Sequence, residues 1–385
     1  MRTATKGARV IRVLQLLTST ALGGGPRQVL HLVRHLPASE FQASVAGPWD
    51  ARCAEDLRTV GVELAGIAVD SLGAFPSTLR RVVRLVRETR ADVVHSHGKG
   101  AGLYGRLGAR LAGVPSVHTF HGIHYESYSL AGQSIYLAVE RALARITHTV
   151  INVSKTQNAE ALRLGLARPG RSAVVVNGID VDELGARPVS KRESLGLSAD
   201  DHVLGCVARF DPVKRHDALV NALALVAKRR PKAVLLLVGE GPEKARIDRL
   251  AAELGVRVVS PGAVGWEASV YASFDLYVTA SSKEGLPLAP LEAMASGLAV
   301  VATDVPGHRD VVEHETTGLL VAPDGGAAAL ADAIESLLGD PERRRRMGRA
   351  GRARVVRDFT LHSMVAQTAA VYRAAAASRG ASRRA

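Results

Sequence analysis

Two carboxylates, Glu284 and Glu292, stand eight positions apart in SSKEGLPLAPLEAMASG, separated by a Gly-Leu-Pro-Leu turn and the opening of a helical run. A strand-like segment, DLYVTAS, ends just ahead. Gly285 permits the chain to turn, and Pro290 fits near the first helical position, where a missing N–H costs nothing. Backbone N–H groups at such a helix start lack partners within the helix and point outward, which suits an anion. Glu284 just ahead of that start and Glu292 within its first turn can accept hydrogen bonds from neutral hydroxyls. Taken singly, each glutamate is explained as a loop charge or a helix decoration. Taken with the turn, the pair suits a molecule that is both phosphorylated and rich in hydroxyls, namely a nucleotide sugar.

Cations fall at a comparable turn. Arg209 closes HVLGCVAR, and Lys214 follows in FDPVK just before a helix expected near His216. Arg supplies a planar fork of donors and Lys a compact charge, a combination suited to a diphosphate, although a surface-charge explanation holds for either residue alone. Gly239 and Gly241 in VGEG make another turn that allows close approach of a ligand. In the first half, Gly23, Gly24 and Gly25 follow RVLQLL and open a helix. They lack the G-x-G-x-x-G spacing and the acidic partner of a dinucleotide site. HGKGAG contains Gly-Lys without the spacing or the following Ser/Thr of a P-loop, which excludes an ATPase reading. A turn and a helix cap suffice for Asn177, Gly178 and Asp180.

These loops require strands to carry them. RVIRVLQLL, QASVAG, ADVVHSH, PSVHTFHG, THTVINVS and SAVVVN alternate with helical patterns in the first half. HVLGCVAR, KAVLLLVGEG, VRVVSPG, DLYVTAS, LAVVAT and GLLVAP do so in the second. Such alternation predicts parallel sheets with helices on both faces, and two series predict two doubly wound α/β domains. We place the first at residues 1–187, the second at 188–358, and a C-terminal helix with a basic tail at 359–385, crossing back to the first domain. Ligands of open parallel sheets bind beyond the carboxyl ends of the strands, so an interdomain cleft is expected.

A chain of 385 residues exceeds the size at which one core keeps growing, consistent with two domains. Two scattered cysteines, Cys53 and Cys206, provide neither a disulfide framework nor a metal site and point to the cytoplasm. The N-terminal apolar stretch is short and interrupted by Arg, unlike a signal peptide, and no window reaches the roughly 20 apolar residues of a membrane span. The formal charge is +13, and the first 188 residues hold 23 Lys/Arg against 14 Asp/Glu. In STLRRVVRLVRETR, Leu79, Val82, Val83 and Val86 keep helical spacing while Arg80, Arg81, Arg84 and Arg87 crowd the other side. This is either a solvated face or one attracted to anionic lipid. Nucleic acid is disfavoured, because the basic residues lack interleaved aromatics and no binding module is visible.

With its motifs in order, namely the Gly-rich first loop, HTFHG, NGID, RFDPVK, VGEGP and EGLPLAPLE followed by AMASGLAVVAT, the chain resembles retaining glycosyltransferases of family 4, which have the two-domain GT-B architecture. The resemblance implies that Glu284 bonds hydroxyls of the donor sugar and Glu292 the ribose, and that Arg209 and Lys214 neutralise the leaving diphosphate. It implies that the backbone of Gly285, Leu286, Pro287 and Leu288 lines sugar and phosphate, although Pro287 has no N–H to offer. Gly24, Gly25 and Gly239 would approach the donor, His121 of HTFHG would lie near the sugar, and the base, of uracil type, would rest around Val264. Neighbouring His118 is read as structural. The family often has an acidic or amide residue where this chain has Pro26 and Arg27, which bears on acceptor contacts.

The implied reaction moves a sugar from a UDP-sugar to an acceptor hydroxyl without a metal or other cofactor, by same-face attack assisted by the leaving phosphate. Likeness to enzymes that build bacterial surface polysaccharides suggests a sugar or lipid-linked acceptor, at the inner face of the plasma membrane. Two rivals stand beside this reading: a nucleotide-sugar epimerase of the same architecture, and a basic protein that binds anionic polymers.

Overall fold

The computed structural model describes residues 9–20, 23–49, 52–60, 63–69, 73–126, 128–263 and 269–382. The chain divides into two compact units, residues 1–177 with 361–385, and 178–360.

In the first unit, strands β1 (Ile11–Leu17), β2 (Phe41–Gly47), β3 (Glu63–Gly66), β4 (Val93–His97), β5 (Ser116–Thr119), β6 (Thr149–Asn152) and β7 (Ser172–Val174) alternate with helices. The helices are α1 (Gly24–His35), α2 (Arg52–Thr59), α3 (Phe75–Glu88), α4 (Lys99–Ala112), α5 (Leu130–Ile146) and α6 (Lys155–Arg163). Among the described residues the sheet is parallel, in the order β3-β2-β1-β4-β5-β6-β7. Strand β3, with the sequence ELAG, adds to the expected set; it lacks the β-branched residues that mark its neighbours and, among the described residues, pairs only with β2.

The second unit contains α7 (Val181–Ala186), β8 (His202–Val207), α8 (His216–Ala227), β9 (Ala233–Val238), α9 (Lys244–Glu253), β10 (Val258–Gly262), β11 (Leu276–Thr279) and α10 (Leu288–Ala295). It continues with β12 (Val300–Thr303), α11 (Pro306–Val311), β13 (Gly318–Val321), α12 (Gly326–Gly339) and α13 (Pro341–Asp358). Its parallel sheet has the order β10-β9-β8-β11-β12-β13. The last helix, α14 (Leu361–Ser382), belongs to the first unit.

Strand periodicity explains how the first sheet is covered on both faces. Val13 of β1 packs with Val93, Val117 and the α14 residues Met364, Val365, Ala369 and Tyr372. Leu14 and Leu16 turn the other way, toward Val82 and Val86 of α3 and Tyr104 of α4. Gln15, His95 and Thr119 occupy alternate positions with those α14-facing residues and are buried.

The expected division at 187/188 falls later than the one observed. Ile179 donates its N–H to Phe359 O at 2.8 Å and bridges to Thr360, closing the second unit on itself. Asp180 caps α7, accepting from Glu183 N at 2.9 Å, and α7 packs on α10. No helix among the described residues is long and apolar enough to cross a membrane.

Candidate functional site

In the second unit, titratable groups gather past the carboxyl ends of β8 and β11. The chain leaves β8 through Arg209, makes a 3-10 turn at Pro212–Lys214 and enters α8. Lys214 Nζ donates to Glu284 Oε1 at 2.6 Å. The backbone fixes this meeting, because Ser282 N–H donates to Val213 O at 2.8 Å and ties the loop after β11 to the turn after β8. Burial alone would raise the Glu284 carboxyl; the Lys214 ammonium and hydrogen bonds from Lys214 and Ser281 outweigh burial and hold it below its ordinary value. Glu284 is therefore a carboxylate at neutral pH, an acceptor and not a proton donor. His308 is fully buried, its Nδ1–H donating to Thr303 O at 2.7 Å; burial holds it neutral against the opposing pull of Glu284.

Gly307, absent from the sequence-based candidates, sets how closely α11 approaches this carboxylate. A Cβ at Gly307 would lie 2.6 Å from the Glu284 Cβ. Its sequence context, VPGHRD, gives only a turn signal. Arg209 is exposed and is held by Asp211, its Nε standing 2.9 Å from Asp211 Oδ2. Gly239, at φ 150, lets the end of β9 close on the end of β8; a Cβ there would sit 2.0 Å from Ala208 O.

The turn Gly285, Leu286, Pro287 leads directly into α10, which begins at Leu288 with Pro287 as its cap. Pro290 is the third helical residue and Glu292 the fifth, so the helix opens two residues ahead of Pro290 and places Glu292 just past its first turn. The extended Pro287, at ψ 133, ends the turn and is the cap from which the helix starts at Leu288. Glu292 is 3% exposed; it accepts from the Tyr271 hydroxyl at 2.7 Å, with Arg187 Nη1 3.8 Å from its other oxygen. Tyr271 and Arg187 carry no motif signal and meet Glu292 only through packing. Val264, expected near the base, lies outside the described residues.

In the first unit, Gly24 and Gly25 open α1, and a Cβ at Gly25 would stand 3.2 Å from His121 Cδ2. His121 has a left-handed backbone, φ 58, and its Nε2 is 2.9 Å from His97 Nδ1. Burial pushes His121 down to about 4, so the ring is neutral at pH 7. His118 is buried, its Nδ1 3.0 Å from Ser96 Oγ, a packed residue. In HGKGAG, Lys99 is engaged by protein groups: it bonds the His124 carbonyl and the Tyr128 hydroxyl.

Each unit thus presents a separate constellation: an ionised carboxylate paired with Lys214 beside a helix start in the second, with Arg209 engaged by Asp211 instead, and a neutral imidazole beside a glycine-opened helix in the first. A family model described as Glycosyl transferases group 1 matches residues 190–354, and one described as Glycosyltransferase Family 4 matches residues 22–183. EpsD of Bacillus subtilis (strain 168), assigned as a glycosyltransferase, is 31% identical over 307 residues, spanning 77% of this chain and 80% of that one. The D-inositol 3-phosphate glycosyltransferase of Thermobispora bispora is 32% identical over 325 residues, 78% and 74% of the two chains. The crystal structure of Anabaena HepE in complex with UDP-glucose shares the fold with a TM-score of 0.82 at 22% identity, covering 94% of this chain and 100% of that one.

Proposed function

The chain belongs to glycosyltransferase family 4, and from that premise we propose that it transfers a sugar from a UDP-sugar to an acceptor hydroxyl with retention at the anomeric carbon. The bond from that carbon to the diphosphate oxygen breaks, a bond to the acceptor oxygen forms on the same face, and the hydroxyl proton passes to the departing phosphate. One observation carries the reading: an ionised Glu284 paired at 2.6 Å with Lys214 beside the start of α10. A carboxylate accepts from sugar hydroxyls; Lys214 and Arg209 oppose the charge that develops on the diphosphate. Glu292, Gly239 and the backbone of Gly285, Leu286, Pro287 and Leu288 bind the donor, and Val264 is assigned to the base. Gly24, Gly25 and His121 are the contribution of the first unit. A UDP-sugar on the related HepE fold supports the choice of nucleotide.

A ligand that binds only the folded state raises its melting temperature, by about 2.7 kcal/mol of stability at a hundredfold excess over Kd. UDP and its sugars should stabilise the protein, NAD and ATP should not, and Glu284→Gln should weaken the response to UDP-sugars more than the response to UDP. Stabilisation by NAD or ATP in place of UDP would sink the proposal. Conversion of the donor with no acceptor present would instead mark an epimerase. We assign the charge neutralisation to Arg209 and Lys214 without a metal, so turnover should survive EDTA.

The finer part of the proposal is a lipid-linked acceptor at an anionic membrane surface, as part of polysaccharide assembly. Arg80, Arg81, Arg84 and Arg87 are exposed along α3 while Val82 and Val86 are buried. On α5, Leu130 and Ile135 are 82% and 66% exposed. Flotation with anionic vesicles at low salt should carry the protein upward, and neutral vesicles should not; equal behaviour with both removes the membrane from the reading.

A further inference from the structure

His121 is the end of a longer chain of polar groups. His121 Nε2 lies 2.9 Å from His97 Nδ1, and His97 Nε2 lies 2.9 Å from Gln15 Oε1. Gln15 Nε2 donates to the Tyr372 hydroxyl at 2.8 Å, which is 2.6 Å from His95 Nδ1; His95 Nε2 is 2.8 Å from Thr119 Oγ1. Gln15, His95, His97, Thr119 and Tyr372 are each 3% exposed or less. Except for Tyr372, which α14 lowers onto this face, and His121 itself, the members stand on the neighbouring strands β1, β4 and β5.

The amide of Gln15 gives this chain a direction. Its oxygen accepts from His97, so the His97 proton is on Nε2 and Nδ1 carries the lone pair. That lone pair requires a proton on His121 Nε2, which leaves His121 Nδ1 bare. On the other side, the Tyr372 hydroxyl accepts from Gln15 and must donate to His95 Nδ1, placing the His95 proton on Nε2 toward Thr119. All donors and acceptors within the chain are matched in this one wiring, and reversing it requires the Gln15 amide to flip and every bond to turn at once. Gly25 lies against the Cδ2 and Nε2 side of the His121 ring, and no protein group among the described residues bonds Nδ1.

We propose that Tyr372, Gln15 and His97 are positioning residues: their hydrogen bonds fix the tautomer of His121, so that Nδ1 is offered as an acceptor to a substrate hydroxyl. The functional part rests on the reading above that His121 meets the donor sugar or its acceptor. The wiring itself is independent of that reading. A neutral imidazole in this tautomer takes a hydrogen bond from an alcohol and gives none to a phosphate oxygen, so it selects the hydroxyl end of a nucleotide sugar. The low proton affinity of His95, His97 and His121, each caused first by burial, agrees with neutral rings throughout.

The test is long-range proton–nitrogen NMR on the full chain with 15N-labelled histidine, assigned by single His→Gln variants. In the wild type, His95, His97 and His121 should each carry the proton on Nε2. Tyr372→Phe, which removes one oxygen, should free the Gln15 amide to flip and give mixed tautomers at His97 and His121. The same variant should lower turnover roughly tenfold with little change in donor KM, the loss that goes with about one hydrogen bond. A proton on His121 Nδ1 in the wild type overturns the proposal, as does an unchanged His121 tautomer in Tyr372→Phe. The wild-type spectrum needs no variant, so poor folding of Tyr372→Phe leaves the wiring testable. Failure of UDP-sugars to stabilise the wild type would reject the donor reading and leave the NMR result standing; an unexpected tautomer with normal UDP binding rejects only the relay.

Discussion

At the scale of single residues, Lys214 and Glu284 depend on each other. The Glu284 side chain is 11% exposed, and removing the ammonium leaves a carboxylate with little water to replace it. Lys214→Met should cost roughly 3 kcal/mol, the usual loss when one member of a buried pair is removed. Adding Glu284→Gln should restore a good part of that loss, since the stranded charge then disappears. A double-mutant cycle by urea unfolding checks this, and strictly additive losses would show that the pair is not coupled. Gly307→Ala is the second residue-scale case. Its Cβ would overlap the Glu284 Cβ at 2.6 Å, so the α11 start or the Glu284 loop must shift. The expected outcome is a folded protein, about 1–3 kcal/mol less stable, whose response to UDP-sugars is lost.

At the scale of elements, α4 shows why a glycine-rich helix need not bind phosphate. Gly102, Gly105 and Gly108 recur every third position, and Cβ atoms there would meet His118 at 2.6 Å, Ser96 at 2.8 Å and Val82 at 2.6 Å. They let α4 lie close to the sheet and to α3. Gly105→Ala sets two effects against each other: about 1 kcal/mol gained in helix propensity and about 1–3 kcal/mol lost to overpacking. Packing should win. Chemical denaturation should show a net loss, whereas a gain would mean that the sheet yields easily at Ser96. A buried pair joins α4 to α5, Arg106 Nη2 to Glu140 Oε2 at 2.7 Å, with Arg106 fully buried. Glu140→Ala should therefore destabilise by roughly 3–5 kcal/mol, far beyond a surface ion pair.

At the scale of the whole molecule, the buried histidines make stability depend on pH. In the first unit His95 is pushed down to about 3 and His121 to about 4, while His97 and His118 also fall well below the ordinary value; burial is the first cause in each. Above the ordinary histidine pKa, about 6.5, both folded and unfolded chains are neutral at these sites and nothing is lost. Below it, the unfolded chain takes up protons that the native state refuses. Stability then falls by about 1.4 kcal/mol per pH unit for each such histidine until its folded pKa is reached. The Glu284 term acts in the same direction but only at lower pH, as its depressed carboxyl protonates. Thermal unfolding followed from about pH 7 to about pH 5 should show a falling melting temperature with several protons taken up per molecule. A flat profile over that range would contradict the burial of the histidine cluster.

Two parallel α/β units and the local geometry of their loops follow from the order of amino acids alone. Strand and helix periodicity, Gly285 ahead of a helix, and Arg209 and Lys214 across a strand-to-helix turn are all properties of neighbouring residues, and neighbours in sequence report on one another. Strand β3 escaped because ELAG has no period or propensity to announce it. Which side chains meet is set by the folded chain. Lys214 reaches Glu284 across 70 residues, Tyr372 reaches Gln15 across 357, and Gly307 limits a carboxylate it adjoins only through packing. Even the polar residues on alternate positions of VLQLL and VVHSH say which face they share, but not that a helix from the far end of the chain covers that face. Such partners are chosen by the register of strands and the docking of helices, which depend on the whole buried surface at once and leave no local mark in the sequence.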